Sequence, residues 1–212
     1  MTRLGAAALF ACLSVTLPTA AGCLNLKKSY PEKRSFVLDV GVPQLKAPPS
    51  REPIVLKMNK FRISPLFAGR AMVYRVAELE YETDFYDEWF VAPATLVTQQ
   101  VHTWLSQATG FQLVILGTNH VEPTHLLEGT ITDFYGDFRG APRAVLGLDL
   151  HVLDARHERQ PLFRRTYRGD VPLSDRSSDA LARGLTEALR AVLVDVTKDL
   201  AELQATQQGF RP

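Results

Sequence analysis

Between Ser177 and Leu203 the apolar residues fall on one helical stripe: Leu181, Leu185, Ala188, Leu189, Val192, Val196, Leu200 and Leu203. A helix of about seven turns with one greasy side is not stable alone in water. Its stripe must be covered by another layer of the same molecule. Ser177 or Ser178 can cap its start, and Asp179 suits the positive end of the helix dipole.

The residues upstream offer strands as that layer. Ala144, Leu146, Leu148, Leu150 and Val152 alternate with Gly147, Asp149 and His151, which predicts a strand with one wet face. Leu162–Val171 alternates in the same way, and Leu126–Phe138 is a strand carrying Gly129 and Gly136. The turns Arg139-Gly140-Ala141-Pro142 and His157-Glu158-Arg159-Gln160 join the three into an antiparallel meander. Ile54–Phe61, Ala71–Val76 and Tyr81–Tyr86 also read as strands, the last two as a hairpin. Phe111–Leu116 is almost wholly apolar, the pattern of a central strand buried on both sides.

A second helix opens at Pro93, where a missing N–H costs nothing. Val97, Val101, Trp104, Leu105 and Ala108 share one of its faces, and Gly110 ends it. The expected fold is α+β: one domain, a mostly antiparallel sheet, and two amphipathic helices packed on one face of it.

The N-terminus has another character. Arg3 precedes an apolar or small run from Leu4 to Leu17, followed by Pro18-Thr19-Ala20-Ala21-Gly22-Cys23. This is the layout of a secretory signal peptide. Fourteen helical residues span roughly 20 Å, short of the about 30 Å of a bilayer core. Ala20-Ala21-Gly22-Cys23 resembles a bacterial lipobox, with Ala20 where Leu is usual. The resemblance implies cleavage before Cys23, a diacylglyceryl group on its thiol and an acyl group on its new amine. Leu24, rather than Asp, follows the cysteine, which implies sorting to the outer membrane. Cys12 leaves with the signal, so no internal disulfide is available.

The expected organisation is therefore a signal peptide at 1–22 and a lipidated tether at 23–53. The tether holds a short strand at Ser35–Val42 and a proline-rich arm at Pro43–Pro53. A folded body at 54–203 and a polar, fraying tail at 204–212 follow. Lys27, Lys28, Lys33 and Arg34 make the tether basic, as suits an anionic headgroup surface or a plain solvated spacer.

Composition excludes several classes of function. Lys and Arg number 24 against 23 Asp and Glu, so nothing offsets nucleic-acid phosphates. His102, His120, His125, His151 and His157 form no zinc-site spacing, and His102 reads as exposed. No phosphate loop, nucleophile elbow, dinucleotide fingerprint or C-x-x-C occurs, so neither an enzyme nor a cofactor is expected. Glu78, Glu80, Glu82 and Asp84 repeat every second residue, with Asp87 and Glu88 beyond. On a strand they form one acidic face, either solvated or set against a basic partner or a cation. Tyr81, Phe85, Tyr86, Trp89 and Phe90 are five aromatics in ten residues, either plugging the sheet edge or forming a partner surface.

The order of these features carries a family resemblance. A lipobox cysteine leads to Ser35-Phe36-Val37-Leu38-Asp39 and a proline-containing arm. Ile54-Val55-Leu56, Phe67-Ala68-Gly69-Arg70 and Met72-Val73-Tyr74-Arg75 follow, then Asp87-Glu88-Trp89 and the helix at Pro93. Over the mature chain this resembles the ABC-type transport auxiliary lipoproteins, the PqiC-like accessory proteins. The resemblance implies a lipid-anchored protein on the periplasmic face of the outer membrane. It would assist an inner-membrane ABC transporter whose partner subunit carries an MCE domain, in moving phospholipids or other hydrophobic molecules. Cys23 is then the lipidation site, and Tyr74, Arg75, Trp89 and Phe90 are the candidate partner contacts. Ring assembly in the family makes a homo-oligomer an expectation. A lipid-binding carrier and a partner of an outer-membrane β-barrel stay open as alternatives.

Overall fold

The computed structural model describes residues 32–44, 46–48, 53–117 and 120–209. The signal segment, Cys23 and the tether as far as Pro31 lie outside the described residues.

The long strand β7 (His125–Asp137) organises the sheet. On one side it pairs antiparallel with β8 (Arg143–Asp154), and β8 pairs antiparallel with β9 (Pro161–Pro172). This is the meander the alternation predicts. Leu146, Leu148, Leu150 and Val152 are buried, while Asp149 and His151 on the other face are half-exposed. The β8–β9 turn holds Glu158 and Arg159 at φ 46° and 57°, the left-handed backbone of a tight hairpin.

The other side of β7 departs from expectation. β2 (Val55–Met58), β3 (Arg62–Ile63) and β4 (Ala71–Arg75) lie along it in turn, each parallel to it. A strand of 13 residues exposes more ladder than one short segment can satisfy. The chain fills it in pieces, and the pieces share one direction. β5 (Tyr81–Trp89) returns antiparallel to β4, β6 (Leu113–Leu116) runs parallel to β2, and β1 (Arg34–Phe36) runs parallel to β5. The nine-stranded sheet is therefore mixed, not mostly antiparallel.

β6 corrects a second expectation: it is an edge strand, not a central one. Val114 and Ile115 are buried, but Leu113 and Leu116 are 41% and 38% exposed. Helix α1 (Pro93–Ala108) covers its open side. Leu113 N–H donates to Ile54 and Gly117 N–H to Met58, so the residues between alternate outward. The outward carbonyl of Val114 lies 3.2 Å from His102 Nε2. His102, expected as a solvated residue, is half-buried and blunts a sheet edge.

Helix α2 (Ser178–Gly209) starts where the cap predicts: Ser177 Oγ accepts from Ala180 N–H at 3.1 Å. It extends past Leu203, and Gln204, assigned to a fraying tail, is buried. The stripe from Leu181 to Leu200 is buried, with α2 lying against β8 and β9 and also touching α1. Gly169 on β9 allows this approach, since a Cβ there would sit 2.7 Å from the Ala188 carbonyl oxygen.

The N-terminal arm is not a free connector. Phe36, Leu38 and Val40 do share an inward face, although only Arg34–Phe36 pairs as strand. Val40 N–H donates to Gln100 Oε1 at 3.0 Å on α1, and Arg190 Nε donates to the Val40 carbonyl at 2.9 Å from α2. Ala47 N–H donates to the Ala108 carbonyl at 2.7 Å. Residues from Glu32 onward thus cluster as one compact unit, with the described part of the arm packed within it.

Candidate docking face

β5 carries most of the acidic and aromatic residues singled out in the sequence, and a bulge distributes them. Val73 pairs with Thr83 and Ala71 with Glu88, so four residues of β5 oppose one of β4. Asp84 holds this bulge: its Oδ1 accepts from the backbone N–H of Tyr86 and of Asp87, both at 2.9 Å. Its Oδ2 accepts from the Tyr74 hydroxyl at 3.1 Å, and Ser178 Oγ lies 2.9 Å from that same hydroxyl. Burial pushes the Tyr74 phenol up to about 12.

Beside this network Arg34 joins three elements. Its Nε and Nη2 donate to the two carboxylate oxygens of Asp87 at 3.0 and 2.5 Å. Its Nη1 donates to Asp179 at 2.7 Å, in the first turn of α2. The paired guanidinium holds the buried Asp87 carboxyl below the usual carboxylate range. β1, β5 and α2 are thereby clamped where the N-terminal arm joins the body.

The acidic period-2 pattern therefore does not continue along β5 as one acidic face. Asp84 and Asp87 are used internally, Glu88 accepts from Arg70 Nη2 at 2.6 Å, and Glu78 lies in the β4–β5 turn. No group of three or more His, Cys, Asp or Glu able to hold a metal occurs among the described residues.

The aromatic cluster divides. Trp89 is 1% exposed and packs on Phe134 at 5.2 Å between centroids; Tyr74 is buried and stacks on Phe138. These two candidate contacts are core residues and offer no surface. Arg75 is half-buried, donating to the Glu78 carbonyl and lying over the Tyr81 ring. Phe90 is 64% exposed, and Phe85, Tyr86 and Val37 are exposed as well. Cross-strand register explains the division. Phe36, Asp87 and Trp89 lie on the inner face, whose rim Arg34 occupies, so Ser35, Tyr86 and Glu88 fall on the outward face, with Lys33, Val37 and Phe90 continuing the alternation at the strand ends. The density of aromatics was visible in the sequence; the bulge that turns Phe85 and Tyr86 outward was not.

One depression of about 290 Å³ lies between the arm and α2, lined by Val37, Asp39, Ala182, Arg183, Thr186, Glu187 and Arg190. No helix among the described residues is long and apolar enough to cross a membrane.

The sequence matches the family of ABC-type transport auxiliary lipoprotein components over residues 36–197. The chain belongs to that family. The matched span runs from β1, the strand clamped by Arg34, into the second half of α2. Among solved structures, a Xanthomonas campestris protein of the DUF330 family is similar at 14% identity. The match covers 80% of this chain and 98% of that one, with a TM-score of 0.67. An uncharacterized protein is similar at 14% identity, over 74% and 99% of the two chains, with a TM-score of 0.59. Both share the fold. No curated protein has a matching sequence. As an auxiliary lipoprotein component, the chain is a membrane-anchored, periplasmic protein associated with an ABC-type transport system. The family's description as an auxiliary transport component suggests a non-catalytic role.

Proposed function

We propose that this lipoprotein is a docking component of an MCE-type transport system that moves lipids or other hydrophobic compounds between two membranes. In this reading Cys23 carries the acyl chains, and the outer membrane, on its periplasmic face, is where they insert. Two or more chains hold a protein stably, whereas one holds it only reversibly.

The observation that supports a docking role is the clamp at Arg34. The chain leaving the anchor enters the body as β1, and Arg34 ties β1 to β5 and to α2 at once. Load on the tether is passed directly to sheet and helix, as a strut between a membrane and a transporter needs. A carrier needs an apolar cavity sized for an acyl chain. The depression by Val37 is lined by Asp39, Arg183, Glu187 and Arg190, which does not favour that alternative. Homo-oligomerisation belongs to the same proposal.

The test is recovery of the tagged, full-length protein from chemically cross-linked cells. Co-recovery of a permease or MCE-domain subunit is the expected result. Recovery of an outer-membrane β-barrel and no transporter subunit would replace the docking role with barrel assembly. Fractionation of a Cys23→Ser variant tests the anchor: loss from the membrane fraction is expected.

A further inference from the structure

Along and just beyond β1 and β5 the outward face carries four large exposed apolar side chains, where the outward face of a sheet is ordinarily polar. Val37 and Phe90, one residue beyond the paired Phe36 and Trp89, are 56% and 64% exposed; further back on β5 Phe85 and Tyr86 are exposed too, their rings edge to face at 5.0 Å between centroids. Lys33 holds its ammonium 5.8 Å above the Phe85 ring. The acid on this face, Glu88, is neutralised by Arg70. By Val37 the acids Asp39 and Glu187 share their depression with Arg183 and Arg190. What remains along β5 is aromatic, with the Lys33 ammonium over it. That is the composition of protein surfaces that sit at the headgroup level of a bilayer.

Two facts of the sequence choose the occupant. Lys33 lies ten positions after Cys23, a length of at most about 36 Å when fully extended. Segment 24–33 carries Lys27, Lys28 and Lys33 against Glu32 alone, a sign complementary to anionic lipid, while Arg34 is spent on Asp87 and Asp179. We propose that Val37, Phe85, Tyr86 and Phe90, with Lys33, form a contact surface for an anionic bilayer. This surface seats the body against the membrane that holds its anchor. The inference rests on lipidation of Cys23 and adds an orientation: β1 and β5 face the lipid, and the β8–β9 turn points away. That turn adjoins His125, whereas β4, which carries β5 on its other side, joins β7 at Gly136, roughly 36 Å along the strand.

The test uses the full-length chain matured in cells and reconstituted in vesicles of phosphatidylethanolamine and phosphatidylglycerol containing a headgroup-nitroxide lipid. A bimane fluorophore is attached at Phe90→Cys, at Val37→Cys as an independent second position, and at Glu158→Cys as the distant control. Loss of emission at residues 90 and 37 with none at 158 is the expected result. Unquenched emission at 90 and 37, or equal loss at all three, overturns the proposal. So does an emission change at residue 90 that follows protein concentration without vesicles, which would assign the face to a second copy. The anchor is read separately. Protein without an added cysteine takes up no bimane if the Cys23 thiol is acylated. Uptake there means the anchor reading has failed, whatever the quenching shows.

Discussion

The indole N–H of Trp104 on α1 donates to Thr197 Oγ1 on α2 at 3.0 Å, and both residues are buried. Thr197 in turn donates to the Leu193 carbonyl at 2.8 Å. One hydroxyl thus satisfies a donor from the other helix and bonds within its own. Thr197→Val keeps the shape but strands the indole N–H in the core. The expected cost is about 1–3 kcal/mol, read as a lower midpoint of chemical denaturation followed by tryptophan fluorescence. An unchanged midpoint would show that this bond does not join the helices.

Arg34 and Asp87 set a pH dependence of known sign. The Asp87 carboxyl is held low in the folded protein by the Arg34 guanidinium, while an unfolded aspartate titrates at about 3.9. Stability from the pair is therefore complete above about pH 4 and is lost as the pH falls toward the depressed value. Arg34→Gln should lower the thermal midpoint at pH 7. The gap between variant and parent should narrow on acidification below about pH 4. A gap constant across that window would mean that Arg34 contributes by packing alone.

Gly169 is where β9 and α2 come closest. A Cβ there would meet the Ala188 carbonyl oxygen at 2.7 Å and its Cβ at 2.8 Å, and the first of these is backbone. Gly169→Ala must push α2 off the sheet, at an expected cost of about 1–3 kcal/mol. Gly140→Ala, with open space around the added methyl, is the control and should change stability little. Equal midpoints for the two variants would refute the close approach.

What the sequence disclosed follows from how local each feature is. α1 and α2 were legible because a stripe of 3.6-residue period is written within one segment, and Pro93 and Ser177 mark the starts. The β7–β8–β9 meander was legible because short turns join its strands. The parallel side of β7 was not. Leu56 pairs with His125 and Tyr74 with Gly136, and no local pattern encodes partners that far apart. β6 misled because an apolar run looks alike at the centre of a sheet and at an edge covered by a helix. On β5 a strict two-residue alternation would have placed Asp84 with Glu82, but the bulge spends Asp84 on its own backbone. Tyr74 and Trp89 were found as distinctive residues for which the structure gives a packing reason, while the exposed Phe85 and Tyr86 needed the bulge to be seen.

The docked arm changes which part of the tether can set reach. Between Pro43 and Pro53, Ala47 is bonded to the end of α1, so shortening that stretch removes this bond downstream of the strap that Val40 makes across α1 and α2. Deleting residues 46–48 should therefore lower the thermal midpoint, and a functional defect there would report damage to the body. The expected determinant of reach is the stretch between Cys23 and Glu32, upstream of the clamp. Inserting a Gly-Ser segment after Ser29 should leave the midpoint unchanged, because the clamp of Arg34 on Asp87 and Asp179 begins downstream. If distance from the membrane matters, the same insertion should weaken cross-linking to transporter subunits in cells. Full cross-linking with the longer tether would show that partner contact, not tether length, positions the body.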